Sequence, residues 1–279
     1  MPKLPKKELK KTNNFRLDGE TALVTGVLGL LGPVWSRGLL EAGAVIVGLD
    51  LPKAPISDDF LLLKKEFGER LVLLRADILK RKTLERALAV CRKKYGIPTI
   101  LVNNAGIDQP PVAVKSGYYF ADIPFEVGEK ILEVNVLGAF CAIQVFGSEM
   151  VKMKKGSIIN IASHYGLVSP DPGFYTHIKT DPPFLKPPMY GPSKAALMQL
   201  TRYMAVLWGK YNVRVNSISP GGVFNNQDRR FLRKYNARVP LGRMATNQDL
   251  VGPLVFLASG ASSYITGSNI VVDGGFTAL

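Results

Sequence analysis

An α/β fold, built on one doubly wound parallel sheet with helices on both faces, is what this 279-residue sequence predicts. Three observations carry the expectation. Short apolar runs without polar alternation recur along the chain, which is how a strand buried on both faces reads. Most of them are separated by a segment of helical period, the alternation that builds parallel sheets. Hydrophobic residues make up 47% and charged residues 21%, enough for a core and unlike a disordered chain.

The elements follow in order. TALVT (21–25) is the first strand, followed by the glycine-rich turn TGVLGLLG (25–32) and a helix over 34–43. AVIVGLD (44–50) and LVLLRAD (71–77) are the next strands, and a helix is predicted over 83–96. TILVNNAG (99–106) precedes a long helix over 131–152, and GSIINIAS (156–163) is the fifth strand. A helix over 193–211, VRVNSISPG (213–221) and NIVVDGG (269–275) complete the series. Residues 164–189 break the rhythm, because Pro170, Pro172, Pro182, Pro183, Pro187 and Pro188 forbid a long helix or central strand. A long loop after a strand's carboxyl end stands where ligands bind in such sheets, so a substrate lid is expected there.

The net charge is +14, of which +5 falls in residues 1–16 (Lys3, Lys6, Lys7, Lys10, Lys11 and Arg16 against Glu8). Residues 1–15 read as a basic, flexible tail and 16–279 as one domain. A basic surface attracts nucleic acid, anionic membrane or acidic metabolites. No aromatic-and-basic signature accompanies the tail, no run of eighteen apolar residues appears, and no apolar segment follows the basic N-terminus. Neither nucleic acid nor membrane is therefore expected as a partner. Cys91 and Cys141 cannot make a disulfide framework, and a reducing cytoplasm is the default. His164 and His177, without an acidic third ligand, are a poor zinc site, and no metal is expected.

The glycine turn opens a helix directly after a strand, the context that a dinucleotide fingerprint requires. Gly26 permits a sharp turn, Gly32 a close helix–sheet approach, and the N–H groups at the helix start suit a pyrophosphate. Asp50 ends the second strand where a carboxylate accepts bonds from ribose hydroxyls.

With these features, the order of TG-x(5)-G, Asp77-Ile78, NNAG (103–106), Asn135, Ser163, Tyr190-x-x-x-Lys194 and SPGG (219–222) resembles the NAD(P)-dependent short-chain dehydrogenase/reductase family. The resemblance spans residues 16–279 and implies a Rossmann-type domain with about seven strands, forming tetramers or dimers. It implies Asn135, Ser163, Tyr190 and Lys194 as the catalytic set. Ser163 would orient the substrate oxygen, Asn135 would position a relay water, and Lys194 would hold the nicotinamide ribose. The cofactor would lie along Gly26, Leu30, Leu31, Asp50, Asp77, Ile78, Asn104, Ala105, Gly106, Tyr190, Lys194, Pro220, Gly221, Val223 and Asn225. Leu30 stands in the usual middle-glycine place, with Gly29 one residue earlier, and Asn225 where threonine is commoner. Short stretches including SPGGVFNNQ are also similar to bacterial oxidoreductases of flagellin-modifying sugar pathways.

A phenol near pKa ~10 is mismatched to neutral pH, and Lys194, one helical turn on, is expected to lower it. Tyr175-x-x-x-Lys179 repeats the motif, but Thr180-Asp-Pro-Pro follows it and argues against a helix there. The function expected is interconversion of a secondary alcohol and a ketone, with NAD(H) preferred over NADP(H) because Asp50 would face a 2′-phosphate. A ketoacyl-thioester-type reductase and a non-catalytic dinucleotide-binding scaffold are the alternatives. His164, Tyr165 and Tyr175 are candidate substrate contacts. Arg229, Arg230, Arg233, Lys234, Arg238 and Arg243 include no acidic residue between 229 and 243. Arg229 and Arg233 are therefore candidate readers of an anionic substrate, such as a sugar phosphate or carboxylic acid. A solvated helix face or a subunit contact is the other reading.

Overall fold

The computed structural model describes residues 14–108 and 117–279. The basic tail falls outside the described residues except for its end, where the Asn14 carbonyl accepts from Ala261 N at 3.1 Å and Phe15 lies against Phe256. The body of the protein thus begins by residue 14.

Seven strands form one parallel sheet: β1 (Thr21–Thr25), β2 (Val45–Asp50), β3 (Leu71–Arg75), β4 (Ile100–Asn103), β5 (Gly156–Ile161), β6 (Val213–Pro220) and β7 (Asn269–Val272). Their spatial order is β3-β2-β1-β4-β5-β6-β7, every neighbouring pair parallel. The chain runs outward from β1 to β3, then returns to place β4 on β1's other side. That reversal opens a crevice beyond the carboxyl ends of β1 and β4, where open α/β sheets bind ligands.

Strand period sends Ala22 and Val24 to one face of the sheet and Leu23 to the other, and all three are fully buried. The first face packs under α1 (Gly32–Glu41), α2 (Asp58–Phe67) and α7 (Asn247–Ala258), with Trp35, Leu39, Phe60, Leu254 and Leu257 in its core. The second packs under α3 (Arg81–Lys94), a long helix α4 (Phe125–Met153) and α5 (Tyr190–Trp208), through Leu88, Ile143, Phe146, Met150 and Met204. Each such side chain contributes roughly 1.5–3 kcal/mol on leaving water.

Local chemistry sets the helix ends. Pro33 occupies the first turn of α1, where a missing N–H costs nothing. Ser57 caps α2, with Asp58 and Asp59 in its first turn and Lys64 and Lys65 in its last, matching the helix dipole. Thr246 and Asp249 form a reciprocal capping box on α7. Neither α2 nor α7 was anticipated from the sequence. The helix α4 is long and apolar enough to cross a membrane by composition, with mean hydropathy 1.6. Half of that stretch is buried against the protein itself, as in the core helix of a sandwich layer. Two wide i→i+5 turns, Glu133–Gly138 and Ile143–Gly147, interrupt it.

The proline-rich segment carries two short 3₁₀ turns, His164–Gly166 and Pro172–Tyr175. It closes over a third apolar cluster. Phe174 and Tyr175 of this segment meet Phe231 and Tyr235 of α6 (Arg229–Asn236), together with Val239, Met244 and Phe276.

Candidate active site

A cavity of about 880 Å³ runs along the carboxyl edge of the sheet. Every cofactor-binding residue expected from the sequence lines it, from Gly26, Leu30, Leu31 and Asp50 to Pro220, Gly221, Val223 and Asn225. At one end the β1 turn depends on Gly26, whose φ is +64° and whose Cβ, if present, would lie 2.8 Å from Ala105 Cα. Gly32 departs from expectation: a Cβ there would strike the turn's own carbonyls, Val27 O at 2.4 Å and Gly26 O at 2.5 Å, rather than the sheet.

Asn104 fastens this turn. Its amide donates to Thr25 O and Gly26 O, both at 3.0 Å, and its oxygen accepts from Trp35 Nε1 at 2.8 Å. The side chain is thereby spent on shaping the cradle. Asp50 accepts from Leu28 N and Leu51 N, each at 2.8 Å, which orients a carboxylate at the cavity end. Asp77 accepts from Leu79 N at 3.0 Å and, with Ile78, forms the wall beside it.

The opposite end gathers the chemical groups. Tyr190 begins α5, and Lys194 lies one turn on, its Nζ 5.7 Å from the Tyr190 ring centre. That Nζ donates to Ile161 O at 2.8 Å, anchoring the buried ammonium to the end of β5. Asn135 sits in the first wide turn of α4, a kind of irregularity common at functional sites. Its amide pairs with Ile107 in both directions (N–H to Oδ1 at 2.8 Å, Nδ2 to O at 3.2 Å) and donates to Ser193 Oγ at 3.0 Å. Ser193 Oγ in turn donates to Tyr190 O at 2.6 Å. A Cβ on Gly106 would meet Asn135 Oδ1 at 3.1 Å and Lys194 Nζ at 3.3 Å, so the two side chains close tightly on this glycine. Asn135 itself is buried behind the lining rather than on it.

Burial pushes the Tyr190 phenol well above its ordinary range, the Asp108 carboxylate adds to this, and a hydrogen bond from Ser163 opposes it. Burial lowers Lys194 to about 8, with Asp108 opposing. The expectation that Lys194 brings the phenol down is thus not met by the chain's own groups. Burial is the largest of the influences on the hydroxyl.

Tyr175, the decoy, is 5% exposed and stacks on Phe231 at 5.6 Å, while Lys179 is exposed, so no helix presents them together. Tyr175, Tyr165 and His164 all line the cavity that Tyr190 lines. His164 and His177 have separate partners: the former faces Pro220 and Tyr235, the latter Asp228 at 3.3 Å.

The expected anion-reading arginines are placed elsewhere. Arg229 and Arg233 are exposed and do not line the cavity. Helix α6 is strongly amphipathic, and the apolar pair Phe231 and Tyr235 takes its inner face, leaving the arginines to water. Lys234 donates to Gly173 O at 2.8 Å and to Thr176, fastening α6 to the proline-rich segment. The sequence reading missed Asp108, Lys186, Gln227, Phe231, Tyr235 and Met244, all on the lining. Only the phase of α6 carried a signal for any of them.

A family profile described as short chain dehydrogenase matches residues 20–234. A 2-dehydro-3-deoxy-D-gluconate 5-dehydrogenase of Dickeya dadantii is 35% identical over 281 residues, covering 95% of this chain and 98% of the relative. A galactitol 2-dehydrogenase of Rhizobium johnstonii is 33% identical over 272 residues, covering 94% and 97%. The crystal structure of a short chain dehydrogenase from Leptospira borgpetersenii with bound NAD+ superposes with a TM-score of 0.82 at 32% identity, over 97% of this chain and 98% of that one. By sequence, topology and the Tyr190–Lys194 helix, the chain belongs to the short-chain dehydrogenase family, the NAD(P)-dependent oxidoreductases that act on CH–OH groups.

Proposed function

We propose that the protein interconverts a secondary alcohol and its ketone on a polyol or other sugar-derived substrate, with NAD(H) preferred over NADP(H) and Tyr190 as acid/base. The observation that carries this is one cavity with Asp50 at one end and Ser163, Tyr190 and Lys194 at the other. Relatives named for galactitol and a dehydro-deoxy-gluconate supply the substrate class.

The residues fit a dinucleotide. The Gly26 turn, tight against Ala105, lines the cavity where a pyrophosphate would lie, Asp50 is oriented for ribose hydroxyls, and Lys194 and Gly106 flank the space for a nicotinamide ribose. A 2′-phosphate would meet the Asp50 carboxylate, while the nearby Arg75 guanidinium is engaged by Leu51 O at 2.9 Å and Ala54 O at 2.8 Å. When bound, the oxidised nicotinamide supplies a positive ring and accepts the hydride. Ser163 donates to the substrate oxygen and fixes its position. Tyr190 takes the hydroxyl proton in oxidation and returns it to the carbonyl oxygen in reduction. Lys194, held on Ile161 O, keeps its charge beside the phenol, and Asn135 holds the Ile107 backbone and the start of α5 in place.

Exposed apolar residues on α4 (Leu137, Phe140) and α5 (Tyr203, Val206, Leu207) support a homo-oligomer, a dimer or tetramer. The test compares wild type, Tyr190→Phe and Tyr175→Phe on sugar alcohols such as galactitol, with dissociation constants for NADH and NADPH. Tyr190→Phe should lose at least about 1,000-fold in kcat while binding NADH as wild type does, and wild type should bind NADH more tightly than NADPH. An active Tyr190→Phe beside a dead Tyr175→Phe refutes the assignment.

A further inference from the structure

Beside the reacting groups, at the substrate end of the cavity, lies an ion pair that neither the family motif nor the mechanism above uses. Lys186, from the proline-rich segment, holds its Nζ 2.6 Å from Asp108 Oδ2, on the loop after β4. The ammonium lies 5.4 Å from the Tyr190 ring centre and 5.8 Å from that of Tyr165. Its side chain is 9% exposed, whereas that of Asp108 is 33% exposed. Both residues line the cavity. Burying a lysine head is costly unless a partner and good geometry offset the lost water. This pair therefore stands where a surface salt bridge would not, against the tyrosine that carries the proton.

We infer that the Lys186–Asp108 pair selects substrates bearing a second hydroxyl close to the reacting carbon, so that the site prefers a neutral polyol to a simple alcohol or to a carboxylate at that position. The inference rests on the reading of Tyr190 as acid/base and deepens it. A cation alone would favour an anion, but here a carboxylate lies beside it. What the pair offers is a donor and an acceptor side by side. A hydroxyl both donates and accepts, and it is the common substrate group that satisfies both members at once. A carboxylate only accepts and would meet Asp108 as a like charge. Tyr165 and Tyr175 line the cavity too, but neither sets a cation beside an anionic acceptor. His164 is engaged by Pro220 and Tyr235, and Arg229 and Arg233 lie outside the lining.

The experiment measures kcat/KM for 2,3-butanediol, 2-butanol and 3-hydroxybutyrate with wild type, Asp108→Asn, Lys186→Met and the double variant. Lys186→Arg serves as the conservative control, and NADH dissociation constants and unfolding midpoints are followed in parallel. Wild type should favour the diol. Each single variant should lower the diol value about 10- to 100-fold more than it lowers the 2-butanol value, the effect of losing a hydrogen bond to a charged group over and above any change at Tyr190 common to both substrates. The double variant should be no worse than the singles, Lys186→Arg should retain most of the diol preference, and NADH affinity should not change. Equal losses on diol and mono-alcohol would show that the pair merely fastens the proline-rich segment, and would overturn the inference with the catalytic reading intact. A wild type that favours 3-hydroxybutyrate would overturn it too. A wild type that binds NADH and oxidises no alcohol at all would overturn both readings.

Discussion

His164 is held neutral by its surroundings, and this can be measured as an acid limb of stability. Its Nδ1 lies 3.0 Å from Pro220 O, and because a carbonyl only accepts, Nδ1 carries the proton. Its Nε2 faces the Tyr235 hydroxyl at 3.4 Å, and that hydroxyl already accepts from Gly222 N at 2.6 Å, so it donates to Nε2. A second proton would set N–H against O–H in a shell that includes the Tyr165 ring at 4.0 Å and the Phe276 ring at 5.0 Å. Burial accordingly lowers the ring from 6.5 to about 4. A lowered folded-state value means that the unfolded chain binds more protons between those limits. The contribution is then fully present above pH 6.5 and is lost as pH falls towards 4. Integrated to pH 5, the loss is about 2 kcal/mol. Urea unfolding of wild type and His164→Gln, at one protein concentration and at pH 7.5 and 5.0, isolates it from titrating carboxylates common to both. The variant should be the less stable protein at pH 7.5, with its deficit shrinking by about 2 kcal/mol at pH 5.0. A deficit that stays constant across the two pH values would refute the buried neutral imidazole.

Three further substitutions probe the cavity wall and the solvent face of α6. Gly26→Ala should lower stability by roughly 1–3 kcal/mol and weaken NADH binding at least tenfold, because the new Cβ meets Ala105 at a positive φ; calorimetry and fluorescence titration check both. Arg229→Ala and Arg233→Ala, which lie on the solvent face of α6, should alter KM for an acidic sugar by less than about twofold, and a tenfold rise in the kinetic assay would return them to substrate binding.

The cofactor half of the site was legible because its residues follow strand ends. A glycine turn, Asp50 and Asn104 are each fixed by a run of apolar residues a few positions away, so chain position and spatial position coincide. Tyr190 was separable from Tyr175 for a similarly local reason, since the prolines at 182 and 183 end any helix that could hold Tyr175 and Lys179 together. The other half was legible only in part: His164, Tyr165 and Tyr175 were expected and line the cavity, whereas its ion pair was not foreseen. Asp108 and Lys186 are 78 positions apart, in segments without periodicity, and only tertiary closure joins them. The helical spacing of Arg229 and Arg233 left a solvated helix face open beside an anion site, and Phe231 and Tyr235, four apart, mark the side of α6 that faces inward. The wide turn around Asn135 left no trace in the sequence, since Glu133–Gly138 has the composition of an ordinary helix. The phenol's environment was misjudged because a sequence lists the charges and not the density around them.

The third apolar cluster has a mechanical consequence. Phe174 and Tyr175 come from the proline-rich segment, Phe231 and Tyr235 from α6, and Phe276 from the last turn of the chain. Their rings sit between 5.2 and 6.2 Å from one another in a chain of tilted and stacked pairs. Three stretches remote in sequence thus share one set of interlocked side chains, tightened by Lys234 on Gly173 O. Such a roof resists piecewise movement, because lifting one stretch strips ring faces from the other two. It shifts as a single plate or stays shut, and Phe276, far along the chain, has a mechanical grip on the cavity wall that Phe231 and Tyr235 form.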